Sequence, residues 1–279
     1  MTLIWLLIII QKYIKHNKTM EYAYLSESAV IKKISETDSE GTFEIEGLYA
    51  GYGLTVGNAL RRVLFSSIPG AAITKIKVKG VNHEFSTIPG VIEDIVEIIL
   101  NLKKVRFQLH TNESQILTLK KKGEGKITAA DINTNAQIEV VTPKAPIATL
   151  SSKSAELDME LTVEKGLGYV PVDARVGEKL PIGAIALDAL FSPVTKVNFT
   201  VENMRVGEST DYNRLRLSVA TDGSVTPSAA LRKASNILQD HFAKISQIEV
   251  LGAESAEKAQ EPKKSKRKKA AKTEEAPEN

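Results

Sequence analysis

The sequence predicts an α+β fold, and three observations carry that expectation. Two runs, one after Gly51 and one after Thr226, repeat apolar residues at helical spacing. Between them, residues 105–181 read as short segments of alternating polarity separated by Gly, Asn, Asp and Pro, the pattern of a separate, mostly β region. A length of 279 residues buries a sizeable core and leaves room for about two domains.

Leu3 to Ile10 is a continuous apolar run of eight residues, whereas a membrane span needs ~20. No basic residues precede it and no small-residue cleavage site follows, so it reads as neither anchor nor signal peptide. From Tyr22 to Leu48 the pattern is strand-like: Phe43 and Ile45 alternate with Thr42, Glu44 and Glu46, and Asp38 to Gly41 supply a turn, which predicts a hairpin.

The run Gly51 to Gly70, GYGLTVGNALRRVLFSSIPG, joins a glycine-rich turn, an amphipathic helix and a Pro-Gly exit. Thr55 offers a hydroxyl that can cap a helix starting there. Val56, Ala59, Leu60, Val63 and Leu64 form one stripe, and Asn58, Arg61 and Arg62 fall on the other side. The arginines are therefore expected at the surface, where on their own they read as a solvated helix face. Glycines ahead of a helix can also cradle phosphate. This run lacks the GxGxxG spacing, and no Gly-Lys-Ser/Thr ending of a P-loop occurs in the chain, which argues for another role.

Ala72 to Val81 alternates and predicts a strand. Ile92 to Lys104 predicts a helix with Ile92, Ile95, Val96, Ile99 and Leu102 as its stripe. Glu93 and Asp94 at its positive end, with Lys103 and Lys104 at its negative end, read as dipole compensation ahead of acid/base chemistry. Strands are expected at Arg106 to His110, Gln115 to Lys120, Gln137 to Val141, Glu156 to Val163, Thr195 to Glu202 and Arg214 to Ala220. Asp222-Gly223 makes a turn, Thr226 caps the last helix, Pro227 suits its first position, and Ala230, Leu231, Ala234, Leu238, His241, Phe242 and Ile245 line one face.

No cysteine is present, which excludes disulfides and thiolate metal sites and fits a reducing cytoplasm. The four histidines are scattered without zinc-site spacing. The net charge of +3 resides in the ends, +3 in residues 1–19 and +2 in residues 253–279, leaving a body of −2. An acidic body is a poor non-specific DNA binder, so DNA is expected to be met through partners.

Gly57-Asn58-Ala59-Leu60-Arg61-Arg62, followed by Ser66-Ser67-Ile68-Pro69-Gly70, resembles the signature of the N-terminal domain of the bacterial RNA polymerase alpha-subunit family. The resemblance continues in family order through His83-Glu84-Phe85-Ser86-Thr87, Glu93-Asp94, Asn101-Leu102-Lys103 and Thr128-Ala129-Ala130-Asp131-Ile132. It resumes at Gly168-Tyr169-Val170-Pro171, Ser192-Pro193-Val194 and Arg205-Val206, and covers about Met20 to Leu251.

This resemblance implies a scaffold: two alpha chains dimerise, and the dimer nucleates assembly with the beta and beta-prime subunits that hold the active site. By position, Arg62 with Arg61 beside it matches the pair associated with capturing beta. Gly168, Tyr169, Val170 and Pro171 resemble part of the surface that meets beta-prime, with Leu167 standing where related sequences often carry a basic residue. Family dimers are built from the two helices, which makes Leu60, Leu64, Leu231, Leu238, Phe242 and Ile245 the expected dimerisation residues. The implied organisation is a discontinuous dimerisation domain, residues 20–69 and 182–252, interrupted by an inserted β-rich domain, residues 70–181, with crossings near Pro69 and Pro181. The chain is thus expected to be a non-catalytic subunit of a nucleotidyltransferase, without catalytic residues, cofactor or metal of its own. Its expected partners are a second copy, beta and beta-prime, with no membrane contact and a cytoplasmic setting.

The ends fall outside this pattern. Residues 1–19 are expected to be either an upstream extension from a mis-set start or a flexible tail. After Gly252 the sequence is rich in Ala, Lys, Glu and Pro without apolar periodicity, so residues 253–279 are expected to be a disordered charged tail in place of the family's C-terminal DNA-binding domain. Within it Lys263, Lys264, Lys266, Arg267, Lys268 and Lys269 read as a solvated charge run or a non-specific DNA contact. Two readings outside the family stay open: a nucleotide-binding protein using Gly51 to Gly57, and a dimeric interaction module unrelated to transcription.

Overall fold

Alternating polarity before Gly51 becomes an edge hairpin, the first feature of a computed structural model that describes residues 29–81, 83–175, 181 and 183–248. The expectations for residues 1–19, for the strand start at Tyr22, for the tail and for its basic run lie outside the described residues.

The first elements are β1 (Val30–Glu36), β2 (Glu40–Leu48), α1 (Tyr52–Ser66), β3 (Pro69–Val78) and α2 (Ile95–Leu102). Short strands follow: β4 (Phe107–Leu109), β5 (Gln115–Lys122), β6 (Gly125–Thr128), β7 (Ile132–Asn133), β8 (Ile138–Val140), β9 (Pro146–Leu150), β10 (Glu156–Leu167) and β11 (Tyr169–Val170). The chain continues through β12 (Ala184–Ala186), β13 (Ala189–Leu190), β14 (Val194–Val206), β15 (Ser209–Thr221) and α3 (Pro227–Ile245).

An antiparallel sheet in the order β1-β2-β15-β14 carries α1 and the start of α3 on one face. Alternation along β2 turns Phe43 and Ile45 into the first core, and Leu48, just after Gly47 with its φ of 73°, joins them; there they meet Leu60, Leu64, Leu215, Leu217, Ala230 and Ala234. On the other face Glu44 pairs with Arg216 at 3.3 Å and Arg214 at 3.5 Å, while Glu46 takes Lys32 at 2.6 Å. These ion pairs cover Glu44, which sequence alternation alone leaves at the surface; it is buried. The turn between β1 and β2 comes slightly before the expected Asp38 to Gly41. Thr37 sets it, donating from its amide to the Glu40 carbonyl at 2.7 Å and accepting the Glu40 amide at its hydroxyl at 3.0 Å.

A larger antiparallel sheet follows the order β7-β5-β10-β3-β4-β8, with β12 added beside β3. Its core contains Leu117, Leu119, Leu157, Leu161 and Val163 from the strands and Ile95, Ile98, Ile99 and Leu102 from α2. Beyond Pro181, near which a crossing is expected, Ala184–Ala186 pairs with β3, and Ile185 and Leu187 are buried in this second core. At the joint between the two sheets, the Arg106 guanidinium lies 3.6 Å from the Asp222 carboxylate.

Candidate protein-interaction surfaces

α1 starts at Tyr52, earlier than the expected Thr55, which is an exposed residue within the helix. Gly51 takes the N-cap position with φ 83°, a left-handed conformation suited to glycine. No neighbouring side chain caps this end. Asn213 on β15 does so instead, its Oδ1 accepting the Gly51 amide at 2.9 Å and the Gly53 amide at 3.3 Å while its Nδ2 donates to Asn203 Oδ1 at 3.2 Å. The amides that a phosphate would need are thus occupied by the chain's own side chain. The glycines serve packing: a Cβ on Gly53 would stand 2.6 Å from Val201 Cγ1, and one on Gly57 2.7 Å from Phe199 Cδ2. α1 therefore lies directly on β14 and β15.

The arginine pair divides into two environments. Arg61 sits over the Phe199 ring, 5.2 Å from its centroid, and donates to Asn58 Oδ1 at 3.0 Å. Arg62 is exposed, and its side chain has no hydrogen bond or ion pair to another described residue. Leu60 and Leu64, expected at a dimer seam, are instead enclosed at 5% and 0% exposure in the first core. They face the wrong way for a partner because their stripe is the one that covers the sheet. The apolar side chains that α1 leaves open are Tyr52, Leu54 and Phe65.

At α3 the Thr226 hydroxyl accepts the Ala229 amide at 3.4 Å, the cap the sequence predicts. A second acceptor comes from the edge strand: Glu36 Oε1 takes the Ser228 amide at 2.8 Å, and Lys33 holds its other oxygen at 2.9 Å. Bonding to Ser228, ahead of Lys33, pulls the Glu36 carboxyl down to about 2. Small residues, Ala230 and Ala234, seat α3 on the sheet, and Leu231 and Leu238 are half-buried against the first core. Phe242 and Ile245 are open at 62% and 64% exposure.

Gly168, Tyr169, Val170 and Pro171 form a turn and the short strand β11, whose Tyr169 pairs with Leu190 of β13. Gly168 takes φ 60°, and its carbonyl accepts the amides of Phe191 at 2.8 Å and Ser192 at 3.3 Å. Val170 packs against Ala72, Ala189 and Phe191, while Leu167, Tyr169 and Leu190 are exposed together. The Val172 amide, followed by Lys103, holds the nearby Asp188 carboxyl below the ordinary range.

α2 corrects another expectation. Asp94 is its N-cap, accepting the Glu97 amide at 2.7 Å, whereas Glu93 lies before the helix and binds both the amide and hydroxyl of Thr149 at 2.6 and 2.9 Å. Ile98 belongs to the buried face, and Ile92 and Val96 do not: they lie exposed with Leu100. The helix is apolar on nearly every side, so periodicity did not identify the covered one. Asn213 and Glu36 also escaped the sequence reading, since no local pattern marks a side chain that caps a helix some 160 or more positions away in the chain.

Comparison with known proteins bears on these surfaces. A family model described as the RNA polymerase Rpb3/RpoA insert domain matches residues 75–192, a span that includes every strand of the larger sheet except the start of β3. The DNA-directed RNA polymerase subunit alpha of Moorella thermoacetica is 52% identical over 205 residues, covering 74% of this chain and 65% of that protein. The protein of the same name from Symbiobacterium thermophilum is 48% identical over 209 residues, 75% of this chain and 66% of its own length. For Roseiflexus sp. the identity is 48% over 225 residues, 81% of this chain and 69% of the relative. The chain thus spans about two thirds of the length of these curated relatives.

Proposed function

This chain belongs to the bacterial DNA-directed RNA polymerase alpha-subunit family, and from that premise we propose that it is a homodimeric scaffold that nucleates assembly with the beta and beta-prime subunits for transcription. The observation that carries this reading is the division of labour on α1. One face is fixed to the sheet through Gly53, Gly57 and Asn213, and Arg62 stands on the other, exposed and without a polar partner among the described residues. A guanidinium held on a rigid helix, with its planar donors free, is suited to a carboxylate or carbonyl on another protein.

In this reading the four-stranded sheet with α1 and α3 is the dimerisation domain and the larger sheet with α2 is the insert. The exposed Phe242 and Ile245 support self-association through α3, and the apolar edge of Leu167, Tyr169 and Leu190 supports a beta-prime contact around Gly168 to Pro171. Arg62 takes the beta contact, with Arg61 beside it in sequence held against Phe199. The role calls for no catalytic group or cofactor on this chain, and with the polymerase it would work in the cytoplasm. Among the described residues no helix is long and apolar enough to cross a membrane.

The test is recovery of the tagged chain from native cells. Co-purification of two large polymerase subunits at a ratio of two alpha chains to one of each is expected. Recovery of the chain without them would overturn the reading.

A further inference from the structure

We propose that Asn213 is a positioning residue for capture of the beta subunit: it sets the axial register of α1 and so the place where Arg62 is presented. The inference rests on the assembly role proposed above and adds a residue far from Arg62 in sequence. Asn213 is buried and held at both ends, its Oδ1 by the Gly51 and Gly53 amides and its Nδ2 by Asn203. It therefore joins the start of α1 to the β14–β15 pair at a fixed point.

The need for such a point follows from how α1 is seated. Gly53 and Gly57 bring bare helix backbone against Val201, Phe199 and Leu215 with no room for a methyl group. That contact prevents the helix from sinking toward the sheet, and Leu60 and Leu64 key its later turns into the core, but the glycine-faced first turns present no side-chain knob of their own to keep the start of the helix from sliding along its axis. The grip of Asn213 on two amides opposes that motion directly. Arg62 lies about 16 Å along the axis from Gly51 at ~1.5 Å per residue, so a rigid helix carries any displacement at its start to the arginine undiminished. A slip of one residue would also turn the side chain by about 100°.

The experiment titrates full chains carrying Arg62→Ala, Asn213→Ala, Asn213→Asp, Asn213→Ser or Ile132→Val against the purified beta subunit of the cognate polymerase, with dimer mass and melting temperature read in parallel. Asn213→Ala is expected to keep the dimer and weaken capture about tenfold, the scale of a lost helix cap. Asn213→Asp offers the same acceptor to both amides, and Asn203 can turn its amide to donate to it, so capture should return to within about twofold of the parent chain. Hydrogen exchange at Gly51 and Gly53 should speed up in the alanine variant and slow again in the aspartate variant. Ile132→Val, a small cavity in the second core, controls for general loss of stability and should leave capture unchanged.

If Asn213→Ala captures beta normally while Arg62→Ala does not, this inference alone falls. If both capture normally, the assembly reading falls with it. Equal weakening in Ile132→Val would reduce the effect to destabilisation and overturn the positioning role. Should the alanine variant not fold, Asn213→Ser decides the matter: its shorter acceptor is expected to give partial loss, and unchanged capture overturns the proposal.

Discussion

Glu36, at the end of the edge strand, accepts a hydrogen bond at 2.8 Å from the backbone amide of Ser228, the second residue of α3. One carboxylate thereby ties the outermost strand of the first sheet to the helix proposed to mediate self-association. The helix dipole and the free amides of the first turn both favour the ionised form.

The pH dependence follows from that preference. The Glu36 carboxyl is pulled from the ordinary 4.5 to about 2, by Ser228 first and Lys33 second. Its contribution to stability is therefore complete above about pH 4.5 and is lost as the pH falls from there through about 2. Glu36→Gln should flatten the acid limb of a melting-temperature series over that window. A limb as steep as that of the parent chain would assign it to other carboxylates.

The chain is expected to be a dimer that separates when the open end of α3 is charged. Phe242 and Ile245 are largely exposed, so replacing both with Glu should halve the mass in light scattering without lowering the melting temperature. Leu238 is half-buried against the first core, and Leu238→Glu should instead destabilise the subunit by about 2 kcal/mol or more. A folded Phe242→Glu/Ile245→Glu variant of unchanged mass would remove α3 from the seam.

The two arginines should respond differently to truncation. Arg62→Ala is expected to leave dimer and melting behaviour intact and to weaken beta capture by about 30-fold or more, the threshold of an interface hot spot. Arg61→Ala loses the contact with Phe199 and should cost about 0.5–1 kcal/mol of fold stability in urea titration. Normal beta affinity in Arg62→Ala would contradict the positional assignment.

Gly57→Ala sets helix propensity against packing. Alanine favours a helix interior by about 1 kcal/mol, but its Cβ would lie 2.7 Å from Phe199 Cδ2 and 3.1 Å from Leu215 Cδ1. Overpacking of this kind costs roughly 1–3 kcal/mol, so the urea midpoint should fall. A rise would mean that α1 can lift from the sheet at little cost, which would also weaken the case for a fixed register.

Local pattern carried much of the fold. The α1 and α3 helices, the exposed arginines, the Thr226 cap and most strands were legible because each depends on the polarity of residues a few positions apart. The same local logic misassigned the start of α1. Thr55 is the nearest residue with a capping side chain, whereas the cap in use is Asn213, brought from β15 by the sheet. It also put Ile92 and Val96 on the buried face of α2: Ile92 lies before the helix starts, and a helix apolar on nearly every side leaves its orientation to whatever packs against it.

What the sequence by itself determined is the longer elements and the family they belong to, because periodicity and ordered motifs are properties of the chain, whereas short strands such as β6, β9 and β12 carry too few residues to show a period. Only the tertiary structure decided which apolar side chains are consumed by the subunit and which remain for a partner. Leu60 and Leu64 lie on a helix stripe that the four-stranded sheet covers completely, while Phe242 and Ile245, an apolar pair one turn apart on α3, remain exposed. Amphipathicity states that a face must be buried; the position of the sheet determines whether the chain's own core or another subunit buries it.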